Sequence, residues 1–192
     1  RLSKKNKVCE VEEVIHSLAK YYKLNLSRGD DFITLRDELE HVSAYVSIQN
    51  VRFKNKFTFE VDVDEQFLDM LVPKTILQPI VENSVIHGIL EKDYGEGIIR
   101  IFSSVEGNNL ILSIQDNGKG VPEDILAKIN YGQITNNKGS YGITNVVERI
   151  KLTYANAYGL EYSSKYNEGT TVRMKLPLPE NKANKQSGLS TL

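Results

Sequence analysis

With Cys9 as its single cysteine, the chain has no internal disulfide framework and no Cys-rich zinc site open to it, and it suits a reducing compartment. Charge of one sign is also lacking: 24 basic residues stand against 25 acidic ones, a formal charge of −1. That balance is unlike the basic footprint of a nucleic-acid binder, so no nucleic-acid partner is expected and any anionic ligand must be held locally. No apolar run approaches the length of a membrane span, and no signal-peptide pattern stands at the start. The first residue is Arg1 rather than Met, which reads as a piece of a longer protein. The 192 residues, 40% of them hydrophobic, fit one full-sized domain with a small appendage in a cytosolic setting.

Along the chain, Val8, Val11, Val14, Ile15, Leu18 and Tyr22 recur at helical spacing and predict an amphipathic helix over residues 8–26. Thr34 followed by Asp37 is an N-cap signature, and Leu35, Leu39, Val42 and Val46 mark the buried stripe of a second helix running to about Val51. Phe57, Phe59, Val61 and Val63 alternate with polar residues, as a half-buried strand requires. Pro73 suits the first turn of the next helix, Pro79 should bend it, and Gly88 should end it. Residues 98–103 and 110–115 form a hairpin around Gly107-Asn108-Asn109, and a short helix opens at Pro122. The polar, Asn- and Gly-rich stretch 130–141 reads as a mobile loop, followed by a helix from Gly142 to about Tyr154. Strands at 160–165 and 170–176 come last, before a polar tail over 181–192.

Three separated elements carry chemistry. Leu77 to Gly88 places Glu82, Asn83 and His87 on one helix, with Asn83 and His87 on neighbouring turns. An amide oxygen such as that of Asn83 is a hard ligand for Mg²⁺, an ion that retains waters and substrate phosphates in its shell. The same three residues would equally form an ordinary solvated helix face. Asp116 ends an apolar strand and is followed by Gly118 and Gly120, so its carboxylate can accept from an exocyclic amine while the glycines leave room for a flat ring. Taken singly, Asp116-Asn117-Gly118 is a common turn. The third element, Gly139-Ser140-Tyr141-Gly142-Ile143, opens a helix whose free amides suit phosphate, and it too has a plain alternative as a loop-to-helix junction. In this order the three read together as a nucleotide pocket. His16 and His41 lack neighbours that would make a metal or nucleophile site, Cys9 has no activating partner, and none is assigned a role.

These residues resemble the ATP-binding domain of two-component sensor histidine kinases, within the superfamily that includes Hsp90, DNA gyrase and MutL. Leu77-Gln78-Pro79-Ile80-Val81-Glu82-Asn83, His87-Gly88, Ile48-Gln49-Asn50-Val51-Arg52-Phe53 and Asn145-Val146-Val147-Glu148-Arg149-Ile150 are similar to the LytS-like subfamily over about residues 8–178. The resemblance implies an α+β fold: a two-layer α/β sandwich of the Bergerat type, with a mixed sheet covered on one face by helices, plus an N-terminal helical segment. Residues 1–30 would be the second helix of a dimerisation hairpin, 31–179 the catalytic domain and 180–192 a disordered tail. ATP or ADP and Mg²⁺ are the implied ligands. Asn83 would coordinate the ion, Glu82 would assist phosphoryl transfer and His87 would lie near the phosphates. Asp116 would read the adenine amine. Gly118, Gly120, Gly139, Ser140, Tyr141, Gly142 and Ile143 would line the nucleotide, with Thr171 near its adenine end.

The implied activity is transfer of the γ-phosphoryl group to a histidine and onward to a response-regulator receiver domain, in a homodimer whose parent lies in the cell membrane. The acceptor motif expected on a helix before residues 8–26 has no match here, and His16 does not fit it, so self-phosphorylation is not expected of this chain. Ile86 stands where related kinases often carry Lys, and Ser140-Tyr141-Gly142-Ile143 departs from Gly-x-Gly-Leu. Two other readings of the residues remain: an ATP-hydrolysing clamp of the Hsp90 or MutL kind, and a nucleotide-responsive dimerisation module without transfer.

Overall fold

The computed structural model describes residues 12, 15–19, 31–92, 95–130 and 140–178, without the side chains of Ser140 and Tyr141. Within 12–19 the described residues are helical, and most of the predicted 8–26 helix, the 131–139 stretch, Gly139 and the tail lie outside the described residues. Strand β1, Phe32–Thr34, leads directly into α1, Leu35–Arg52. Thr34 caps that helix as expected: its hydroxyl oxygen accepts from the Asp37 N–H at 3.1 Å and the hydroxyl donates to the Asp37 carboxylate at 2.8 Å. β1 pairs antiparallel with β3, Leu71–Pro73, in a small two-stranded sheet.

The main sheet has five strands in the order β2, β4, β5, β7, β6, with ranges Phe57–Asp62, Gly97–Glu106, Asn109–Asp116, Gly169–Pro177 and Gly159–Lys165 respectively. β2 and β4 are parallel and every other pair is antiparallel, which makes the sheet mixed. Helices lie on one face. Ile99, Ile101, Leu112, Ile114, Val172, Met174 and Leu176 point into a core shared with Val42 and Val46 of α1, and with Ile80, Val81, Val85, Val146 and Ile150 of the later helices. The other face carries paired charges, such as Arg100 with Glu60 at 2.6 Å, and Arg173 with both Glu106 and Glu161.

The hairpin has the expected turn, with Gly107 at φ +59, and its doubly buried arm is β5. As the central strand, β5 buries Leu110 through Ile114 continuously, whereas Ile98 on β4 is 40% exposed.

Three proline and glycine expectations are corrected. Pro73 ends β3 instead of opening a helix. Pro79 lies in the first turn of α2, Gln78–Asn83, where its missing N–H breaks no bond, so it does not bend the helix. Gly88 does not stop that helix, which continues as a π-helical segment over Ser84–Ile89 with Leu90 N–H donating to Val85 O at 2.9 Å. Two further helices follow, α3 over Glu123–Asn130 and α4 over Ser140–Tyr154. The expected helix from Gly142 is described from Ser140, which places Gly142 and Ile143 in its first turn.

Candidate functional site

Asp116 closes β5 at the point where the sheet meets the π segment, and it is only 5% exposed. Its Oδ1 accepts from the N–H of Gly118 at 2.9 Å and of Thr170 at 3.3 Å, and its Oδ2 accepts from the Ser84 hydroxyl at 2.9 Å. Burial raises the carboxyl above its ordinary range, opposed by the Gly118 N–H, the Ser84 hydroxyl and the Thr170 N–H. An ionised carboxylate has about four acceptor positions. The three bonds leave one, on Oδ2.

The glycines around Asp116 are fixed by close approach of the chain to itself. A Cβ on Gly88 would sit 2.9 Å from Asp116 Oδ1, and one on Gly118 would meet the Gly88 carbonyl carbon at 2.3 Å. Gly120 combines φ +67 with a Cβ position only 2.1 Å from the Lys165 carbonyl oxygen, so it lets the Asp116–Gly120 loop lie on the β6–β7 turn. The Asn167 N–H donates to Lys119 O across that contact, and the Lys119 N–H donates to Gly88 O at 2.9 Å. Asp116 is thereby held between the α2–π element and β7.

The register corrects one sequence assignment. Thr170 is opposite Asp116 and faces the helices with Val172 and Met174, whereas Thr171 is opposite Gln115 on the far face of the sheet. Thr170 Oγ1 is 2.9 Å from Ser164 Oγ, which in turn accepts from the Val121 N–H at 2.8 Å. The period-2 alternation of Val172, Met174 and Leu176 already put Thr170 with the inward set.

Glu82 and Asn83, both half-buried, end α2. Glu82 Oε1 accepts from the amide of Gln78 at 2.7 Å, one turn earlier on the same helix. His87 is exposed, with Nδ1 3.0 Å from Glu91, and Glu91 also pairs with Lys119 at 3.2 Å. These contacts hold the Glu91 carboxyl below its usual range, His87 contributing most. Gly142 brings the first turn of α4 against Pro79, where a Cβ would come within 3.2 Å of the proline ring, and Ile143 is partly buried against the core. Pro79 and Gly88 stand toward opposite ends of the α2–π element, so the first turn of α4 and Asp116 meet it at different ends. Glu82 and Asn83 fall between them. Among the described residues no three His, Cys, Asp or Glu side chains cluster to hold a metal. A divalent ion here would therefore rely on the Asn83 oxygen and on ligand phosphates, a donor set that suits Mg²⁺.

Sequence reasoning missed Ser84 and Thr170. Ser84 is one helical turn before Gly88 and shares its face, a signal the motif contained. A cavity of about 570 Å³ lies elsewhere, between Phe32, Pro73, Lys74, Arg149 and Leu152. It contains neither Asp116 nor Glu82 and Asn83.

The fold and the surroundings of Asp116 fit an ATPase-type domain. The family model "Histidine kinase-, DNA gyrase B-, and HSP90-like ATPase" matches residues 69–180, and the model "Histidine kinase" matches residues 1–57. The chain belongs to the histidine kinase-, DNA gyrase B- and HSP90-like ATPase family. The sensor histidine kinase YesM of Bacillus subtilis is 30% identical over 176 residues, covering 92% of this chain and 29% of its own length. The sensor protein LytS of Staphylococcus epidermidis is 30% identical over 175 residues, covering 90% and 29%. The chain thus spans less than a third of these curated relatives. In fold, it matches the histidine kinase domain of the Erythrobacter litoralis blue-light activated histidine kinase EL346 with a TM-score of 0.55 at 19% identity, over 88% of this chain and 75% of that one. Among the described residues no helix is long and apolar enough to cross a membrane.

Proposed function

We propose that the chain is the catalytic part of a sensor histidine kinase that binds Mg²⁺-ATP and transfers its γ-phosphoryl group to a histidine on a partner helix, for relay to a response-regulator receiver domain. Residues 31–179 form the catalytic domain, residues 1–30 belong to a dimerisation hairpin of a homodimer, and the parent protein sits in the cell membrane. The observation that supports this best is Asp116, a buried carboxylate with three acceptor positions filled by Gly118, Thr170 and Ser84 and one left over. An adenine amine fits that remaining position. The phosphates then extend along α2 toward the first turn of α4, whose free N–H groups and dipole favour anions.

Asn83 would hold Mg²⁺, and the ion when bound neutralises charge that builds on the transferring group. Glu82, oriented by the Gln78 amide, would orient the attacking imidazole and accept its proton. His87, paired with Glu91, lies next to Gly88 and so on the Asp116 side of the site rather than toward α4. Thr170, not Thr171, completes the adenine end.

The test is incubation with γ-labelled ATP and a supplied acceptor helix from a LytS-like kinase. Acid-labile phosphohistidine on that helix, suppressed by Glu82→Gln, is the expected result. ATP hydrolysis without labelling would instead assign the chain to the clamp ATPases, and binding with neither outcome would leave a nucleotide-responsive dimerisation module.

A further inference from the structure

Helix α2, which carries Glu82 and Asn83, opens without a cap of its own. Leu77 precedes it in a helical rather than extended conformation (φ −86, ψ −36), with no side-chain capping bond, and Pro79 removes one N–H from its first turn. The acceptor comes from 39 residues earlier. Glu38 on α1, 0% exposed, accepts the Leu77 N–H through Oε1 at 2.8 Å and the Thr75 N–H through Oε2 at 2.9 Å. Thr75 is held at φ +63, a left-handed conformation that a threonine keeps only where its surroundings impose it.

A buried carboxylate is a costly way to fill space. Its two oxygens match two diverging peptide N–H groups at a helix N-terminus, where the dipole favours an anion, and a neutral isostere cannot do this. The residue after Leu77 is Gln78, itself buried, and Gln78 donates to Glu82 at 2.7 Å. A continuous set of contacts therefore runs from Glu38 through the Leu77–Gln78 peptide and the Gln78 amide to Glu82, with Asn83 next in sequence.

We propose that Glu38 is a positioning residue for the Mg²⁺-nucleotide site: by holding the N–H groups of Thr75 and Leu77 it fixes the height and rotation of α2 and so the placement of Glu82 and Asn83. This rests on the nucleotide-binding reading above. It adds that α1 and the catalytic helix are joined by one buried carboxylate, so that a displacement of α1 is passed to the site.

Three proteins separate positioning from plain stability: the wild type, Glu38→Gln, and Leu176→Ala, which removes a 0% exposed side chain from the opposite end of β7 from Thr170. Each is titrated calorimetrically with ATP, with and without Mg²⁺, at a temperature where circular dichroism shows it folded. Both variants should melt lower. Glu38→Gln should bind Mg²⁺-ATP about tenfold more weakly, since one N–H then faces an amide donor, with a smaller loss for metal-free ATP. Leu176→Ala should bind both as the wild type does. Unchanged Mg²⁺-ATP affinity in folded Glu38→Gln, or an equal loss in Leu176→Ala, overturns the proposal while leaving the nucleotide reading standing. Absence of ATP binding by the wild type overturns that reading and the proposal with it. Should Glu38→Gln fail to fold, hydrogen exchange on the wild type decides. Thr75 and Leu77 amides as slow as those of β5 support the clamp, and rapid exchange at both refutes it.

Discussion

Replacing Asp116 by Asn separates the cost of holding the carboxylate from its use. The Asn oxygen can keep the Gly118 and Thr170 N–H bonds now made by Oδ1, and its NH₂ can donate to Ser84 once that hydroxyl rotates to accept. No protein hydrogen bond is lost. The native carboxyl is raised by burial, so the folded state binds a proton more tightly than the unfolded chain does. Stability linked to Asp116 is therefore complete below the ordinary aspartate range and declines as pH rises through the raised value. At neutral pH the variant avoids that cost, and its apo melting temperature should equal or exceed the wild type's. Ligand binding moves the other way. The position left on Oδ2 becomes a second N–H, which faces the adenine amine donor to donor, at a cost of about 1–3 kcal/mol or roughly 5- to 150-fold in Kd. Differential scanning calorimetry and titration with ADP measure both. An apo protein strongly destabilised by Asp116→Asn, or one that binds ADP with wild-type affinity, would refute the reasoning. The wild type should also lose ADP affinity on acidification above the usual aspartate range, as Oδ2 is protonated, while the variant's affinity stays level through that window.

Asn83→Ala should weaken ATP binding in Mg²⁺ more than in EDTA, because an amide oxygen leaves the ion while the adenine contacts remain; equal losses in calorimetry would make Asn83 structural. Gly118→Ala forces a Cβ against the Gly88 backbone at 2.3 Å, which should cost about 1–3 kcal/mol in urea unfolding and displace Asp116 enough to reduce ADP binding as well. Ile114→Ala, at a 0% exposed position in the central strand, should cost about 2–5 kcal/mol by the same assay, and a loss under 1 kcal/mol would contradict the close packing of β5.

Much of this architecture was legible because local chemistry and tertiary packing agree. The Thr34–Asp37 cap, the alternation through Phe57 and Phe59 and the Gly107 turn each act over a few residues and reappear in the structure. The prolines did not read as easily, since Pro79 is compatible both with bending a helix and with opening one, and only the β1–β3 pairing, which uses residues up to Pro73, moves the helix start to Gln78. Glu38 sits three residues from Leu35 and four from Val42, squarely on the apolar stripe, yet its partners are peptide groups 37 and 39 positions away. No periodicity reveals those. The resemblance implies Thr171, whereas the register sets Thr170 opposite Asp116, and parity governs which side of a sheet a residue meets. Asp116 was legible as a carboxylate at a strand end, but the count of its filled acceptor positions needed Ser84 and Thr170 in three dimensions.

The most direct test of the central claim exchanges the ligand's amine rather than the protein's acid. Wild-type protein is titrated in Mg²⁺ with ADP and with inosine diphosphate, which differs by a carbonyl oxygen in place of the exocyclic amine. If Asp116 reads that amine, the inosine nucleotide binds more weakly by about 1–3 kcal/mol, and Asp116→Asn reduces or reverses the preference. Equal affinities for the two nucleotides in the wild type would contradict the account.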